Sequence, residues 1–283
     1  MDLEQVRTFL AVVETGSFVG AAEKVYITQS TVSSRIRTLE QQIGKSLFER
    51  SKRGAALTPA GEQFHKHALS LLRIWQQARL EVSLPAGYHA ALSVGGTFSL
   101  WDGFLMDWLH GLRELAPGVA LRAQLGFSDQ LMHRLVEGTL DLGVMYAPQG
   151  VAGLDVELLF EDELVLVSSA AEALPEAGPD YVYVDWGPEF RADHALNFPD
   201  LNTPSLYLEL GALALSYILQ HAASAYFPAR VVRPHIADGR LRQVRGAPVF
   251  TYPVYAVFPA TPDESALATA LASLREHAAG AAS

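Results

Sequence analysis

Residues 18–50 read FVGAAEKVYITQSTVSSRIRTLEQQIGKSLFER, and the reading of this stretch decides how the N-terminal third folds. The pattern is a helix, a tight turn and a second helix. Ala21 and Ala22 are small enough for close helix packing, and Tyr26, Ile27 and Thr28 make the turn. The second helix opens on short polar residues: Thr28, Gln29, Ser30, Thr31, Ser33 and Ser34. Ile36, Leu39 and Ile43 follow at spacings of three and four, so they fall on one buried face, with Arg35 and Arg37 elsewhere.

That distribution suits a helix laid in a DNA major groove. Gln29 can read adenine, and the hydroxyls can bond bases or phosphates. Neighbouring arginines can neutralise backbone phosphates. The same pattern also fits an ordinary amphipathic helix pair, so the flanking sequence has to separate the two. Residues 46–57 carry Arg50, Lys52 and Arg53 around Gly54, as in a short basic hairpin beside the groove whose contacts position without reading sequence.

The net charge of −10 looks wrong for a DNA binder until it is divided along the chain. Residues 1–84 hold eleven Lys and Arg against eight Asp and Glu; residues 85–283 hold ten against twenty-three. A basic head on an acidic body follows, and the body disfavours non-specific wrapping of DNA.

AAEKVYITQSTVSSRIRTLEQQIGKSLFER, continuing through GAALTPAGE, resembles the N-terminal domain of LysR-type transcriptional regulators. The match keeps the paired alanines, Gln29-Ser30, the Ile-x-x-Leu-Glu run, Gly44, Leu47-Phe48-x-Arg50 and Leu57-Thr58-x-Ala60-Gly61. The resemblance implies a winged helix-turn-helix over 1–58, with Thr28, Gln29, Ser30, Thr31, Ser33, Ser34, Arg35, Arg50, Lys52 and Arg53 on DNA. Its expected target is double-stranded DNA carrying an interrupted palindrome, with RNA polymerase as a further partner.

In chain order, residues 2–15 read as a first helix stopped near Gly16, and Ser17 as the N-cap of the next. Thr58-Pro59 starts a long helix over 59–82, with Thr as N-cap and Pro at the first helical position. Phe64, Ala68, Leu71, Trp75, Ala78 and Val82 recur at gaps of four and three, the heptad seam of a coiled coil. The resemblance makes this a linker helix that pairs two subunits, giving a homodimer or homotetramer; packing against its own head is the alternative. His65 and His67 point to different sides and read as surface residues. Residues 83–89, SLPAGYH, form a hinge.

From residue 90 strands alternate with helices. Expected are a strand at 92–95, a helix over 100–116, a strand at 119–125, a helix over 129–138 and a buried strand at 140–145. This order implies a parallel sheet covered on both faces. GTLDLGVM and LLFEDELVLVSS resemble the effector-binding domain of the same regulators, a two-lobed fold like that of periplasmic binding proteins. The expected fold is therefore α/β overall: an all-α winged head, a linker helix and a two-lobed domain over 90–283. Lobe I takes about 90–162 and 259–283, and lobe II about 163–258. Within lobe II, a helix is expected over 211–224; a last helix is expected over 263–279, with a frayed tail from 278.

In open α/β sheets ligands bind at the carboxyl ends of strands, near helix N-termini that favour anions. That rule selects Thr97, Phe98, Ser99, Phe127, Ser128 and Tyr146 in the first lobe, and Trp186 and Leu210 in the second; Phe227 joins the expected effector site as bulk at the cleft. Ser99 and Ser128 also match family positions that often touch an effector; plain N-capping explains them equally well. HAASAYFP at 221–228 departs from the glycine-rich run usual in relatives, so Trp186, Tyr226 and Phe227 could narrow or fill the cleft. The effector expected is a small monocarboxylate or a neutral aromatic metabolite; regulation without an effector is the alternative. DWGPEF at 185–190 resembles one branch of the family.

No phosphate-binding GxxxxGK loop, GxSxG elbow or HExxH is present, so an enzyme is not expected. Asp185, Glu189, Asp193 and His194 read as solvated loop residues rather than a catalytic cluster. The chain has no cysteine, which excludes disulfides, thiolate chemistry and the peroxide sensing of some relatives. No metal site or cofactor is called for. No apolar run is long enough to span a membrane and no signal pattern opens the chain, so no membrane partner and a cytoplasmic location are expected. Were the head absent, 90–283 would read as a solute-binding module, whereas a purely architectural DNA binder would not need two lobes.

Overall fold

The computed structural model describes residues 1–51, 54–151, 153–170, 178–201, 204–260 and 266–281. The head is built from α1 (Leu3–Thr15), α2 (Phe18–Lys24) and α3 (Gln29–Ile43), followed by the hairpin β1 (Phe48–Ser51) and β2 (Gly54–Leu57). Each helix has a cap written in the sequence. Asp2 and Gln5 form a reciprocal capping box on α1, and the Ser17 hydroxyl accepts from Val19 N and Gly20 N on α2. Thr28 Oγ1 accepts from Thr31 N at 3.2 Å, and Gly44 closes α3 in the left-handed conformation. The core of the head joins Val6, Phe9, Val12, Ala21, Val32, Ile36 and Leu39. Ile43 departs from the expected face: it is 38% exposed, because the helix ends there.

The long helix α4 (Pro59–Val82) divides its expected seam into two uses. Ala68 is buried, while Phe64 and Leu71 pack on the head's core, Phe64 edge-on to Phe9 at 5.0 Å. These seam residues are thus spent within one chain, together with Leu72, because Phe9 and Phe48 leave an apolar floor that only α4 can cover. Farther along, Trp75, Ala78 and Val82 are exposed, as is Ile74. His65 departs from a surface reading as well: it is half-buried beside Phe9, and burial holds its pKa below the ordinary value.

The second domain is organised on a seven-stranded sheet of order β10-β6-β11-β5-β3-β4, with β9 added beside β6. Its strands are β3 (Ala90–Gly96), β4 (Val119–Leu125), β5 (Leu142–Tyr146), β6 (Leu154–Ser168), β9 (Ser224–Pro228), β10 (Arg242–Gln243) and β11 (Phe250–Pro259). A separate parallel pair joins β7 (Val182–Val184) to β8 (Leu206–Leu208). β3 runs parallel to β4 and β5, the arrangement expected from helices crossing between strands. β6 and β11 are long antiparallel strands that pass from one lobe to the other. The return strand pairs with β5 from Val254 onward, so the chain re-enters lobe I several residues before 258.

The helices are α5 (Phe98–Leu100), α6 (Met106–Leu115), α7 (Ser128–Val136), α8 (Pro188–Asn197), α9 (Gly211–Gln220), α10 (Ala229–Ala237) and α11 (Ala266–Ala281). The helix expected over 100–116 is broken: Asp102 (ψ 112) and Gly103 (φ 73) leave helical geometry between α5 and α6. Its apolar stripe survives the kink, with Leu100, Phe104, Trp108 and Leu112 buried, but Leu115 at its end is exposed. The helix expected over 211–224 stops at Gln220. His221 turns extended, and Ser224 to Pro228 form a fully buried strand against Leu164 to Ser168. The C-terminal tail is helical to Ala281, pinned by Ala278 in the lobe I core.

Candidate functional site

The reading head presents α3 by its N-terminal end. Val32, Ile36 and Leu39 point into the core, which turns Gln29, Ser30 and Ser34 outward and leaves Thr31 and Ser33 half-buried. Thr28 is exposed too, but its hydroxyl is engaged at the cap, with Ser30 Oγ at 2.9 Å and Thr31 Oγ1 at 2.8 Å. Arg35 is committed within the head. Its guanidinium donates to Glu4 Oε2 and to Thr8 Oγ1, each at 3.2 Å. Arg37, not counted as a contact from the sequence, is exposed. Tyr26, assigned only to the turn, is 94% exposed in the left-handed conformation (φ 54) just before the helix. Its signal was a bulky aromatic in a turn with no hydrophobic partner to meet. The Arg50 backbone pairs with Ala55 in the wing; its side chain, Lys52 and Arg53 lie outside the described residues.

The head rests on lobe I. Lys24 Nζ donates to His133 Nε2 at 2.7 Å and also pairs with Glu14, while His133 Nδ1 is 3.2 Å from Glu137. Beside this contact α4 passes close to Gly138, where an added Cβ would sit 2.6 Å from the Cα of Arg73.

Between the lobes lies a cavity of about 470 Å³. All nine residues expected at the effector site line it: Thr97, Phe98, Ser99, Phe127, Ser128 and Tyr146 from lobe I, and Trp186, Leu210 and Phe227 from lobe II. The strand ends that the rule selects are what the two sheets turn toward each other. The rule misses Tyr252, on the crossing strand β11, and Val231, on α10, because neither follows a parallel strand.

The walls are fixed from behind. Trp186 Nε1 donates to the Tyr226 carbonyl at 3.0 Å, and the indole lies over Gly211, where an added Cβ would sit 2.5 Å from Cη2. Ser128 Oγ donates to the Tyr146 carbonyl at 2.8 Å, so this hydroxyl ties α7 to β5. Ala147, next on the cavity wall, holds an unusual left-handed backbone (φ 46), the kind of strain that collects at ligand sites. The Thr97 hydroxyl oxygen is buried without a hydrogen-bond partner among the described residues. Tyr226, by contrast, is fully buried beneath the wall, its hydroxyl donating to Pro248 O at 3.0 Å, and does not occupy the cleft.

Under the floor a buried polar cluster crosses the cleft. Arg230 of α10 donates to Asp162 Oδ2 at 2.8 Å, to Asp102 O at 2.6 Å, to Tyr146 OH at 3.2 Å and to Ser99 O. The Tyr146 hydroxyl donates in turn to Asp162 at 3.3 Å, and its ring stacks on Tyr252 at 3.9 Å. Burial pushes the Tyr146 pKa up to about 12, so the phenol is a donor at any physiological pH.

Asp185, Glu189, Asp193 and His194 form no cluster. Asp185 is tied by Arg191 at 3.3 Å and Tyr207 OH at 2.6 Å, while Asp193 is exposed on α8. His194 is buried rather than solvated, its Nε2 2.7 Å from Tyr181 OH among Phe190, Phe198 and Phe250.

A winged helix-turn-helix joined by a long helix to a two-lobed α/β domain with an interlobe cavity defines a ligand-responsive class of DNA-binding regulator. Residues 3–62 match the family of bacterial regulatory helix-turn-helix proteins, lysR family, and residues 85–279 match the LysR substrate binding domain. The chain belongs to the LysR family of transcriptional regulators. It is 33% identical over 287 aligned residues to the HTH-type transcriptional regulator HdfR of Yersinia pestis, covering 94% of each chain, which agrees with the branch marked by residues 185–190. Among solved structures it is similar in fold to ArgP from Mycobacterium tuberculosis, with a TM-score of 0.63 at 22% identity over 99% of this chain and 98% of that one. It is also similar to full-length LysG from Corynebacterium glutamicum with bound effector Arg, with a TM-score of 0.60 at 19% identity over 99% of both chains. No described helix is long and apolar enough to cross a membrane.

Proposed function

We propose that this protein is a cytoplasmic, sequence-specific repressor or activator, and not an enzyme, whose DNA affinity or geometry is set by a small molecule bound between its lobes. Gln29, Ser30, Thr31, Ser33 and Ser34 face the bases, with Thr28 at the edge; Arg50, Lys52 and Arg53 hold phosphates. Arg37 and Tyr26 join them from their exposure, whereas Arg35 supports the head through Glu4. Two copies pair through the exposed part of α4, presenting two heads to an interrupted palindrome. The DNA half has a precedent in CbnR, a regulator of similar fold whose full-length crystal structure is a complex with its target DNA.

The observation that carries the effector half is the cavity itself. About 470 Å³ remains open with Trp186 and Phe227 in place, which favours an occupant over a cleft closed by its own aromatics. An occupant that binds one lobe arrangement better shifts the population, and the change passes through residues 83–89 and the head contact to the spacing of the heads. Footprinting on the protein's own promoter, with and without a cell metabolite extract, tests both halves. A protected interrupted palindrome whose pattern shifts with the extract is expected. No protected site would defeat the DNA half, and a pattern indifferent to every fraction would defeat the effector half.

A further inference from the structure

We infer that the interlobe cavity takes an apolar organic cation, an amine on an aryl or alkyl body, in preference to a carboxylate. The inference rests on the effector reading of the cavity and specifies its occupant.

The apolar part follows from the walls. Phe98 and Phe127 stand on the lobe I side and are 39% and 57% exposed; Trp186 and Phe227 stand opposite, ring centroids 6.0 Å apart and edge to face. Large aromatics left exposed on one side of a cleft and fixed on the other are surfaces waiting for a partner. Aromatic faces carry negative potential, so they attract cations as well as apolar groups.

The charge follows from who is free to pair. Asp102, Asp129, Asp185 and Glu209 line the cavity, against one lining cation, Arg191. Arg191 and Asp185 satisfy each other, and Tyr207 adds a second donor to Asp185. Arg230, which donates to Tyr146 of the cavity wall, is spent on Asp162 and on the carbonyls of Ser99 and Asp102. Asp129 and Glu209 are left exposed at the rim, with no hydrogen bond to either carboxylate among the described residues. Nor do the helix N-termini invite an anion. Asp129 stands in the first turn of α7, so that positive helix end already has its own carboxylate, and Glu209 lies two residues before α9. A ligand carboxylate entering here would meet like charges and no unpaired cation, whereas an ammonium would meet unpaired carboxylates.

Full-length protein is titrated with three probes that share a phenyl-alkyl body: phenethylamine, 2-phenylethanol and 3-phenylpropanoate. Binding is followed by thermal shift and calorimetry in low salt. Phenethylamine should bind about tenfold or more tighter than 3-phenylpropanoate, with 2-phenylethanol between them, since two rim carboxylates favour one charge and oppose the other. The D129N/E209Q double variant, whose changes lie on the exposed rim, should keep its own melting temperature and reduce the amine's advantage to about twofold. Tighter binding of the carboxylate or the alcohol overturns the cation assignment while leaving a ligand-binding cleft in place. So does an amine preference that D129N/E209Q leaves intact. Failure of all three probes to bind overturns the cation assignment and counts against the effector reading beneath it.

Discussion

Lys24 Nζ, on α2 of the reading head, donates to His133 Nε2, on α7 of lobe I, at 2.7 Å. The other ring nitrogen, Nδ1, lies 3.2 Å from Glu137. α7 faces two ways. Asp129 and Met132 line the cavity, and His133, on the same helix, meets Lys24 and Glu14 of the head. His133→Ala should loosen α2 without unfolding the protein. These partners are partly exposed, so the contact is worth less than about 1 kcal/mol. Amide exchange over residues 18–24 should rise up to about fivefold with the melting temperature unchanged. Exchange identical to wild type would show that the contact transmits nothing.

On DNA, Gln29 and Arg50 should separate two kinds of contact. Gln29→Ala should relax base preference at one position per half-site, with a discrimination loss of about 1–3 kcal/mol for a lost bidentate contact. Arg50→Ala should weaken all sequences alike and lower the salt slope by about one counterion. Binding measured on operator and scrambled duplexes across a salt series checks both. Sequence-independent loss for Gln29→Ala would take that residue out of the base-reading set.

Pairing should depend on the outer half of α4. Trp75, Ile74 and Val82 are 43%, 62% and 89% exposed, an apolar strip that one chain leaves uncovered. Trp75→Glu removes about 1.5–3 kcal/mol of burial from each copy, so dimer dissociation should rise about 100-fold or more. Phe64→Ala should instead lower head stability, since Phe64 packs on Phe9 of its own chain. Sedimentation equilibrium separates the two effects.

The division of α4 shows where sequence patterns stop. The gaps from Phe64 to Val82 are a true heptad, but periodicity says only that one face is apolar, not which surface covers it. Phe9 and Phe48, distant in sequence, decide that for Phe64 and Ala68. The caps Ser17 and Thr58 were legible because each acts on its own neighbours. The cavity residues were legible because strand-to-helix loops lie at fixed places in a parallel sheet. Asp129 and Glu209 stood in the same loops, yet their bearing on ligand charge depends on Arg191 and Arg230 being spent elsewhere. That is a fact of tertiary contact. The break at Gly103 was hidden because Leu100, Phe104 and Trp108 keep helical spacing across it.

Acid should weaken lobe II through His194. The ring is 3% exposed, and burial lowers its pKa from 6.5 to about 4. Tyr181 OH reaches its Nε2, which suits the neutral form. As pH falls below 6.5 the unfolded chain takes up a proton that the folded chain refuses, so stability is lost from about pH 6.5 down to about pH 4 and the loss then levels off. The total is on the order of 3 kcal/mol. His194→Gln should flatten the slope of urea-unfolding free energy against pH in this window. An undiminished slope would assign the acid sensitivity to other groups.

Arg230 carries the strongest expectation for stability. Its guanidinium, on α10, fills the acceptors of Asp162 on the crossing strand β6 and of the Ser99 and Asp102 carbonyls in lobe I. Asp162 is only 5% exposed, and burial raises its pKa above the ordinary value even with the Arg230 guanidinium opposing it, so without Arg230 the carboxylate would be harder still to keep charged. Removing one member of a buried pair strands the other, at a cost of about 3–5 kcal/mol. Arg230→Met should therefore lower the unfolding free energy by that amount. Adding Asp162→Asn should recover much of the loss, because the carboxamide needs no counter-charge. The double variant should also bind every cavity ligand more weakly than its stability predicts, since Tyr146 OH loses Arg230 as a donor and exchanges a charged acceptor at Asp162 for a neutral one. Chemical denaturation of the three proteins, followed by probe titration of the double variant, measures both effects. A double variant no more stable than Arg230→Met would mean that the carbonyl contacts, rather than the ion pair, hold α10 to lobe I.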